Sequence, residues 1–336
     1  MATIIDVAKL AGVSKSTVSR VITKNGYVSK ETETKVIKAM HELEYYPNIL
    51  ARQFQAGKTR TIGFVSQVYI DSMQIFLREF VEVAKKYGYF INLYFTDGDR
   101  EKEIEILEMM KFKQIDGVFI FTRTNDWSVI EDFAQYGPLA TWHRRDSKKI
   151  YSPYFDHYDG YYESLNYLYN KGYQKIGHVV GHGANLNTQA RLQAINDFYL
   201  EKKVDINQDW IITKLPLYEG GQYLAQEWID KKEEIDALIF YSDYIAAQFL
   251  SAIQLMGYDS PRDIAMMGFD NTDIGRLMHI STIDYSIKHQ AYNSFIYIYN
   301  QLTKKDIPFK ELKMTLIERE TTRSKVKEEK YGCDDL

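Results

Sequence analysis

The sequence predicts an α/β protein: a small three-helix, helix-turn-helix head followed by two lobes of parallel sheet. Three observations lead there. Three short apolar-periodic stretches fill the first 46 residues. Beyond residue 60, eight apolar runs alternate with helix-length amphipathic stretches, the pattern of parallel sheets covered on both faces. Charge divides along the same line. Residues 1–60 hold seven Lys and three Arg against one Asp and four Glu, a net of +5, which leaves −9 for the rest of a chain whose total is −4. A cationic head on an anionic body implies that only the head meets a polyanion.

Within the head, Thr3 and Asp6 form a variant of the capping box, a hydroxyl N-cap with Asp at the place usually given to Glu or Gln. A helix to about Ala11 is expected, with Ile5, Ala8 and Leu10 turned to a small core. Gly12 supplies the turn and Ser14 caps a second helix reaching about Thr23. Ser29 caps a third, with Val36, Ile37, Met40 and Leu43 as its buried stripe and its end near Tyr45. Expected strands are Thr61–Ser66, Tyr89–Phe95, Asp116–Thr122, Pro138–His143, Lys175–Gly181, Trp210–Leu215, Asp236–Tyr241 and Asp263–Asp270. Between the first two, Phe76, Phe80, Val83, Ala84 and Tyr87 share one helical face. Eight or more strands suit two sheets better than one, with a boundary near Asp156.

Several function classes fall away. No apolar run approaches the roughly 18 residues of a membrane span, and "MATIIDVAKL" lacks the basic and apolar regions of a secretory leader. Cys333 is the only cysteine, so it has no partner for an internal disulfide and makes no cysteine-based zinc site by itself. A reducing cytoplasm is the expected setting. The seven His show no metal-ligand spacing, and no metal or cofactor is expected. "VVGHGAN" has two glycines after a strand but lacks the third of a dinucleotide fingerprint. Without a phosphate loop, a G-x-S-x-G elbow or an H-E-x-x-H helix, the chain is not expected to be an enzyme.

The second helix carries the functional signal. Val18, Val21 and Ile22 recur at three- and four-residue spacing and pack inward, leaving Lys15, Ser16, Ser19 and Arg20 outward. Short hydroxyls let a helix approach a groove closely, and Arg can bond guanine bidentately in the major groove. Residues near the start of a recognition helix are the ones that reach base edges.

At this point the sequence resembles a known family. "TIIDVAKLAGVSKSTVSRVI", "VSKETETKVIKAMHELEYYPN" and "ARQFQAGKTRTIGFV" are similar to the head and linker of LacI/GalR-type transcription regulators, and the similarity continues through "DALIFYSDYIAAQFLSAIQLMGYDSPRDIAMMGFDN". The resemblance implies a homodimer on a near-palindromic double-stranded operator, with base contacts from Lys15, Ser16 and Arg20 and phosphate contacts from Thr17, Ser19 and their neighbours. It implies a periplasmic-binding-protein-like core at residues 61–325, after a head at 1–46 and a linker at 47–60. Lobe 1 would span about 61–155 and 284–313, lobe 2 about 156–283 and 314–325, with a charged tail at 326–336.

The linker after Pro47, from Asn48 to Ala56, is too short for a stable isolated helix, so it folds only when something packs on it. Asn48 is its plausible cap. The family resemblance places Phe54, where Leu is usual, as an apolar wedge in the central minor groove. Ligands of open α/β sheets lie beyond the carboxyl ends of the strands, and the resemblance puts a sugar or sugar phosphate there. Arg191 matches the family's effector-binding arginine, with Ala194 where Gly is usual three residues on. Asp270 matches the aspartate that accepts from ligand hydroxyls. Ser242-Asp243 stands where Asn-Asp is commoner, and Asp71 on the loop after the first body strand is a further candidate. Tyr69, Trp142 and Tyr218 are candidates for stacking on a sugar face, and His157 for lining the cleft. "IDGVFIFTRTNDW" with "QYGP" resembles the catabolite-control branch, which offers a phosphorylated protein corepressor as an alternative partner. A solute-binding protein without DNA function is the other rival.

Overall fold

A computed structural model describes residues 2–23, 25–46, 58–70, 73–181, 183, 185–216, 219–231 and 234–322. The chain divides into a head, Met1–Thr59, and a body, Arg60–Leu336.

In the head, α1 (Ile4–Ala11) starts on the expected capping box: the Thr3 N–H donates to Asp6 Oδ2 at 2.8 Å and the Asp6 N–H to Thr3 Oγ1 at 3.4 Å. Gly12, at φ +67°, ends it; a side chain there would pay the left-handed penalty. Ser14 Oγ accepts from the Thr17 N–H at 3.1 Å and opens α2 (Lys15–Thr23). Ser29 caps α3 (Lys30–Glu42). Val7, Ala8, Val18, Val36 and Ala39 form the small core. Three expected core residues lie outside it: Ile5, Leu10 and Ile37 are 63%, 47% and 45% exposed. The cause is helical phase. Ile4, Val7, Ala8 and Ala11 repeat at i, i+3, i+4 and i+7, and a helix this short can turn only one such stripe inward. In α3 the stripe Val36–Ala39–Met40–Leu43 leaves Ile37 one residue round the helix.

The body opens with β1 (Thr61–Ser66), α4 (Met73–Lys86), β2 (Phe90–Phe95), α5 (Arg100–Lys111), β3 (Gly117–Ile120), α6 (Trp127–Glu131), β4 (Leu139–Thr141) and β5 (Ile150–Tyr151). These strands form a parallel sheet in the order β2-β1-β3-β4-β5. Then come α7 (His157–Asn170), β6 (Ile176–Val179), α8 (Leu186–Lys202), β7 (Ile211–Ile212), α9 (Gly220–Asp230), β8 (Ala237–Phe240), α10 (Asp243–Leu255), β9 (Ala265–Phe269), α11 (Asp273–Leu277) and β10 (Ser281–Asp284). The chain then crosses back: α12 (Ile287–Thr303) packs on α4, β3 and β4, and β11 (Thr315–Ile317) returns to pair antiparallel with β10. The second sheet runs β11-β10-β9-β8-β6-β7, parallel apart from that pair.

Each of the eight expected strands is present: Thr61–Ser66 with the expected bounds, the others shorter at one or both ends. The three further strands, β5, β10 and β11, are two to four residues long, too short or too polar to show a strand period. Central strands such as β9 are buried throughout, which is why they read as unbroken apolar runs. The aromatic richness is mostly core. Phe64, Phe76, Phe80 and Phe119 pack under the first sheet with ring centroids 4.7–6.3 Å apart. Such rings bury the largest areas and hold one another in specific geometries.

Candidate functional site

The head presents one polar helix face. Lys15, Ser16, Ser19 and Arg20 are exposed, Thr17 is half-buried, and Val18 is the buried anchor beneath them. Ser14 Oγ lies 2.7 Å from Ser16 Oγ and 2.8 Å from Thr17 Oγ1, so the first turn of α2 is a cluster of hydroxyls at the positive end of the helix dipole. Among the described residues no ion pair engages Lys15 or Arg20. The Arg20 side chain passes Gly26, where an added Cβ would sit 3.6 Å from its Cδ. Asn48 and Phe54 lie outside the described residues.

In the body, a cavity of about 370 Å³ opens where the carboxyl ends of both sheets meet. The first lobe supplies Phe121 and Thr122 after β3 and Trp142, His143 and Arg144 after β4. The second supplies Asn185, Asn187, Thr188 and Arg191 from the start of α8, Tyr241 and Ser242 after β8, and Asp270 after β9. His157 at the start of α7 and Tyr285 after β10 complete the wall. Parallel strands all end on the same side, so residues far apart in sequence converge there.

Arg191 is buried. Its Nη1 donates to the Val180 carbonyl at 2.9 Å and its Nη2 to His157 Nδ1 at 2.8 Å. A guanidinium only donates, so His157 accepts through Nδ1 and carries its proton on Nε2. Burial, with the Arg191 and Arg144 charges, holds the His157 pKa well below its ordinary value. Asp270 is equally buried and accepts from the Tyr285 hydroxyl at 2.8 Å. Burial, and the nearby Asp243 carboxylate, push its pKa well above the usual carboxylate range, against the pull of Tyr285 and Arg191. Asp270 and Asn271 have φ +110° and +52°, sparsely populated values for these residue types. The Ile283 carbonyl, Asp284 and Arg319 hold them there. His143 is shifted down to about 4, chiefly by burial.

Among the described residues, three buried polar atoms on this wall find no hydrogen-bond partner: His143 Nε2, Asn187 Oδ1 and Arg191 Nε. Buried polar groups in folded proteins are almost always paired. Here three polar groups on the wall are left able to bond a molecule that enters the cavity.

Of the sequence-predicted residues, Arg191, Ser242 and Asp270 meet at the cavity, with Trp142 and His157. Ser242 also caps α10, its Oγ accepting from the Tyr244 N–H at 3.1 Å. Asp243 does not join them. It is fully buried, and its carboxylate accepts from the Thr272 N–H at 2.7 Å, Thr272 Oγ1 at 2.9 Å and Thr282 Oγ1 at 2.6 Å. Gly268 and Gly275 make room for it, since a Cβ at either would collide with a carboxylate oxygen. One residue past a cap, the helix turns a side chain about 100° away, and Asp243 braces the second sheet instead. Tyr69 is 52% exposed and off the cavity wall, while Asp71 and Tyr218 lie outside the described residues. His143, Arg144, Asn187, Tyr241 and Tyr285 were missed by the sequence; Arg144, Tyr241 and Tyr285 directly follow expected or observed strand ends, which is the signal that could have found them. Among the described residues no helix is long and apolar enough to cross a membrane.

A helix-turn-helix head followed by a two-lobed body with a polar cleft is the build of a ligand-responsive transcription regulator. Comparison with known proteins agrees. The family model for bacterial regulatory proteins of the lacI family matches residues 3–48, and the model for a periplasmic binding protein-like domain matches residues 165–322. The NTD biosynthesis operon regulator NtdR of Bacillus subtilis is 33% identical over 294 residues, covering 84% of this chain and 88% of NtdR. The chain therefore belongs to the lacI family of DNA-binding transcriptional regulators. The repressor PurR of Vibrio cholerae is 27% identical over 346 residues, covering 97% and 100%. In fold, the chain is similar to the Lac repressor dimer bound to operator and the anti-inducer ONPF, with a TM-score of 0.79 at 22% identity, covering 96% and 99%. It is also similar to a LacI family regulator of Lactobacillus casei with bound sucrose, at 0.69 and 21%, covering 78% and 99%.

Proposed function

We propose that the protein is a repressor of carbohydrate-utilisation genes that binds a near-palindromic operator as a homodimer and is controlled by a sugar or sugar phosphate in the inter-lobe cleft. Lys15, Ser16 and Arg20 read bases, and Thr17 and Ser19 hold phosphates. Asn48 caps the linker helix, and Phe54 wedges the minor groove. The observation that carries the effector reading is the cavity wall, where Arg191 and Asp270 are both buried without a direct ion pair between them and three polar atoms wait unpartnered. Asp270 and Ser242 suit hydroxyls, and Arg191 with Arg144 suits a phosphate or ring oxygen; Asp71 would add a carboxylate from lobe 1. Exposed apolar side chains support the dimer: Phe90, Leu93 and Phe95 on the edge strand β2, and Leu255 and Leu277 at the ends of α10 and α11. Ligand binding shifts the balance between two lobe arrangements by its differential affinity for them.

Selection of duplexes from a random pool, followed by titration of the winner and a scrambled control with and without sugars, tests this. A preferred inverted repeat is expected, with affinity falling by about 10³ or more between roughly 50 and 200 mM salt. Equal binding of both duplexes would overturn the operator reading. A thermal-shift screen in which no sugar or sugar phosphate raises the transition would overturn the effector reading.

A further inference from the structure

Arg191 and Asp270 are both buried in the wall of one cavity and act on each other's charge through space. Yet among the described residues no ion pair joins them. Opposite charges out of water attract strongly, and a guanidinium pairs readily with a carboxylate through two parallel hydrogen bonds. Each is instead engaged by a side chain of its own. His157 Nδ1 accepts from Arg191 Nη2 at 2.8 Å, and the Tyr285 hydroxyl donates to Asp270 Oδ1 at 2.8 Å. These two holders also touch. Their ring centres are 4.7 Å apart, and both rings pack on Phe269, at 4.9 and 5.3 Å. We propose that His157 and Tyr285 form a brace that keeps Arg191 and Asp270 from closing on each other, so that both still present polar groups to a ligand, with His157 as the positioning residue for Arg191. The consequence for affinity rests on the sugar reading of the cleft; the brace itself does not.

The geometry explains why an imidazole stands at position 157. Two acceptors on separate nitrogens, the Val180 carbonyl on Nη1 and His157 on Nη2, fix how the guanidinium is turned within its own plane. With Val180 alone it would be free to swing. That carbonyl is held in turn, since the Val180 N–H donates to the Ile212 carbonyl at 3.0 Å. The rings of Phe269 and Tyr241, 5.1 and 5.9 Å from the guanidinium carbon, limit its tilt. An Arg donor demands a lone pair on Nδ1, so His157 is neutral. A carboxylate at 157 would hold Arg191 equally well but cancel its charge; the imidazole orients without neutralising. Tyr285 treats Asp270 in the same way, as a donor that brings no charge.

Crystal structures and calorimetric titrations of the full chain and its variants test the brace. His157→Phe keeps a ring to pack on Phe269 and Tyr285 but removes the acceptor, and His157→Asn restores an acceptor near the place of Nδ1. In ligand-free crystals of His157→Phe the Arg191 guanidinium should turn to Asp270 and come within the roughly 4 Å of an ion pair; in His157→Asn it should keep the parent position. Tyr285→Phe, which removes only a hydroxyl, gives the same test from the other side: Asp270 should turn to Arg191. Glucose, glucose 6-phosphate and sucrose are the titrants. The best binder of the parent should bind His157→Phe about tenfold or more weakly and His157→Asn within about threefold. A packing role alone predicts the reverse order, because Asn loses the ring that Phe keeps. No Arg191–Asp270 pair in either Phe variant, or His157→Asn binding no better than His157→Phe, would overturn the brace. If none of the three titrants binds the parent, the sugar reading falls, and the position of Arg191 in the crystals still decides the brace.

Discussion

Replacing Arg191 with Met separates ligand recognition from folding. Met matches the stem of the side chain and removes the charge. In the free protein the change deletes two hydrogen bonds, to the Val180 carbonyl and to His157 Nδ1; the carbonyl keeps the Thr188 hydroxyl at 3.1 Å, so one buried acceptor, His157 Nδ1, loses its donor at about 1–3 kcal/mol. Against this, the guanidinium is buried, with its Nε unpartnered and its pKa lowered by that burial. Desolvating such a charge costs several kcal/mol, which the variant recovers. The two terms nearly offset, so the free protein should lose no more than about 2 kcal/mol of stability. Ligand binding has no such offset: a charge-assisted bond from Arg191 is worth about 1.5–3 kcal/mol, a loss of roughly 10- to 150-fold in affinity. Chemical denaturation measures the first quantity and calorimetric titration with the best sugar the second. Operator titration should show unchanged DNA affinity and no response to the sugar. A variant that binds the sugar within twofold of the parent, or that still responds to it on DNA, would refute this account of the cleft.

Other perturbations follow from the same contacts. Asp243→Ala leaves three buried donors on Thr272 and Thr282 unsatisfied and should destabilise the body by about 3–5 kcal/mol, seen in urea unfolding. Ligand hydroxyls donating to Asp270 favour its anion, whose pKa burial holds well above the ordinary value; sugar affinity should therefore rise with pH through that raised value, and Asp270→Asn should flatten the profile in titrations from pH 5 to 8. The same raised pKa means that the folded state holds the proton more tightly than the unfolded one, so the stability of the parent relative to Asp270→Asn should increase as pH falls. Arg20→Ala should cost about 1–3 kcal/mol on the operator and much less on scrambled duplex, measured by fluorescence anisotropy at fixed salt. Phe54→Ala should likewise reduce operator affinity more than nonspecific affinity.

Much of this protein was written locally. Capping hydroxyls at Thr3, Ser14 and Ser29, the turn at Gly12 and the spacing of Val18, Val21 and Ile22 specified the head and the face it shows, because helix period and caps act within a few residues. The unbroken apolar runs specified the parallel sheets, because strands covered on both faces need no polar alternation. What remained to the tertiary structure was convergence and direction. His143, Tyr241 and Tyr285 lie 44 to 142 residues apart in sequence yet share one wall, because parallel strands end together. Asp243 sits one residue past Ser242, but helix rotation sends its carboxylate to Thr272 and Thr282 instead of the cleft. Ile5 and Ile37 are apolar, yet the phase of their helices leaves them outside. A sequence states which groups are available within a turn or a strand; only packing decides which of them face one another across the fold.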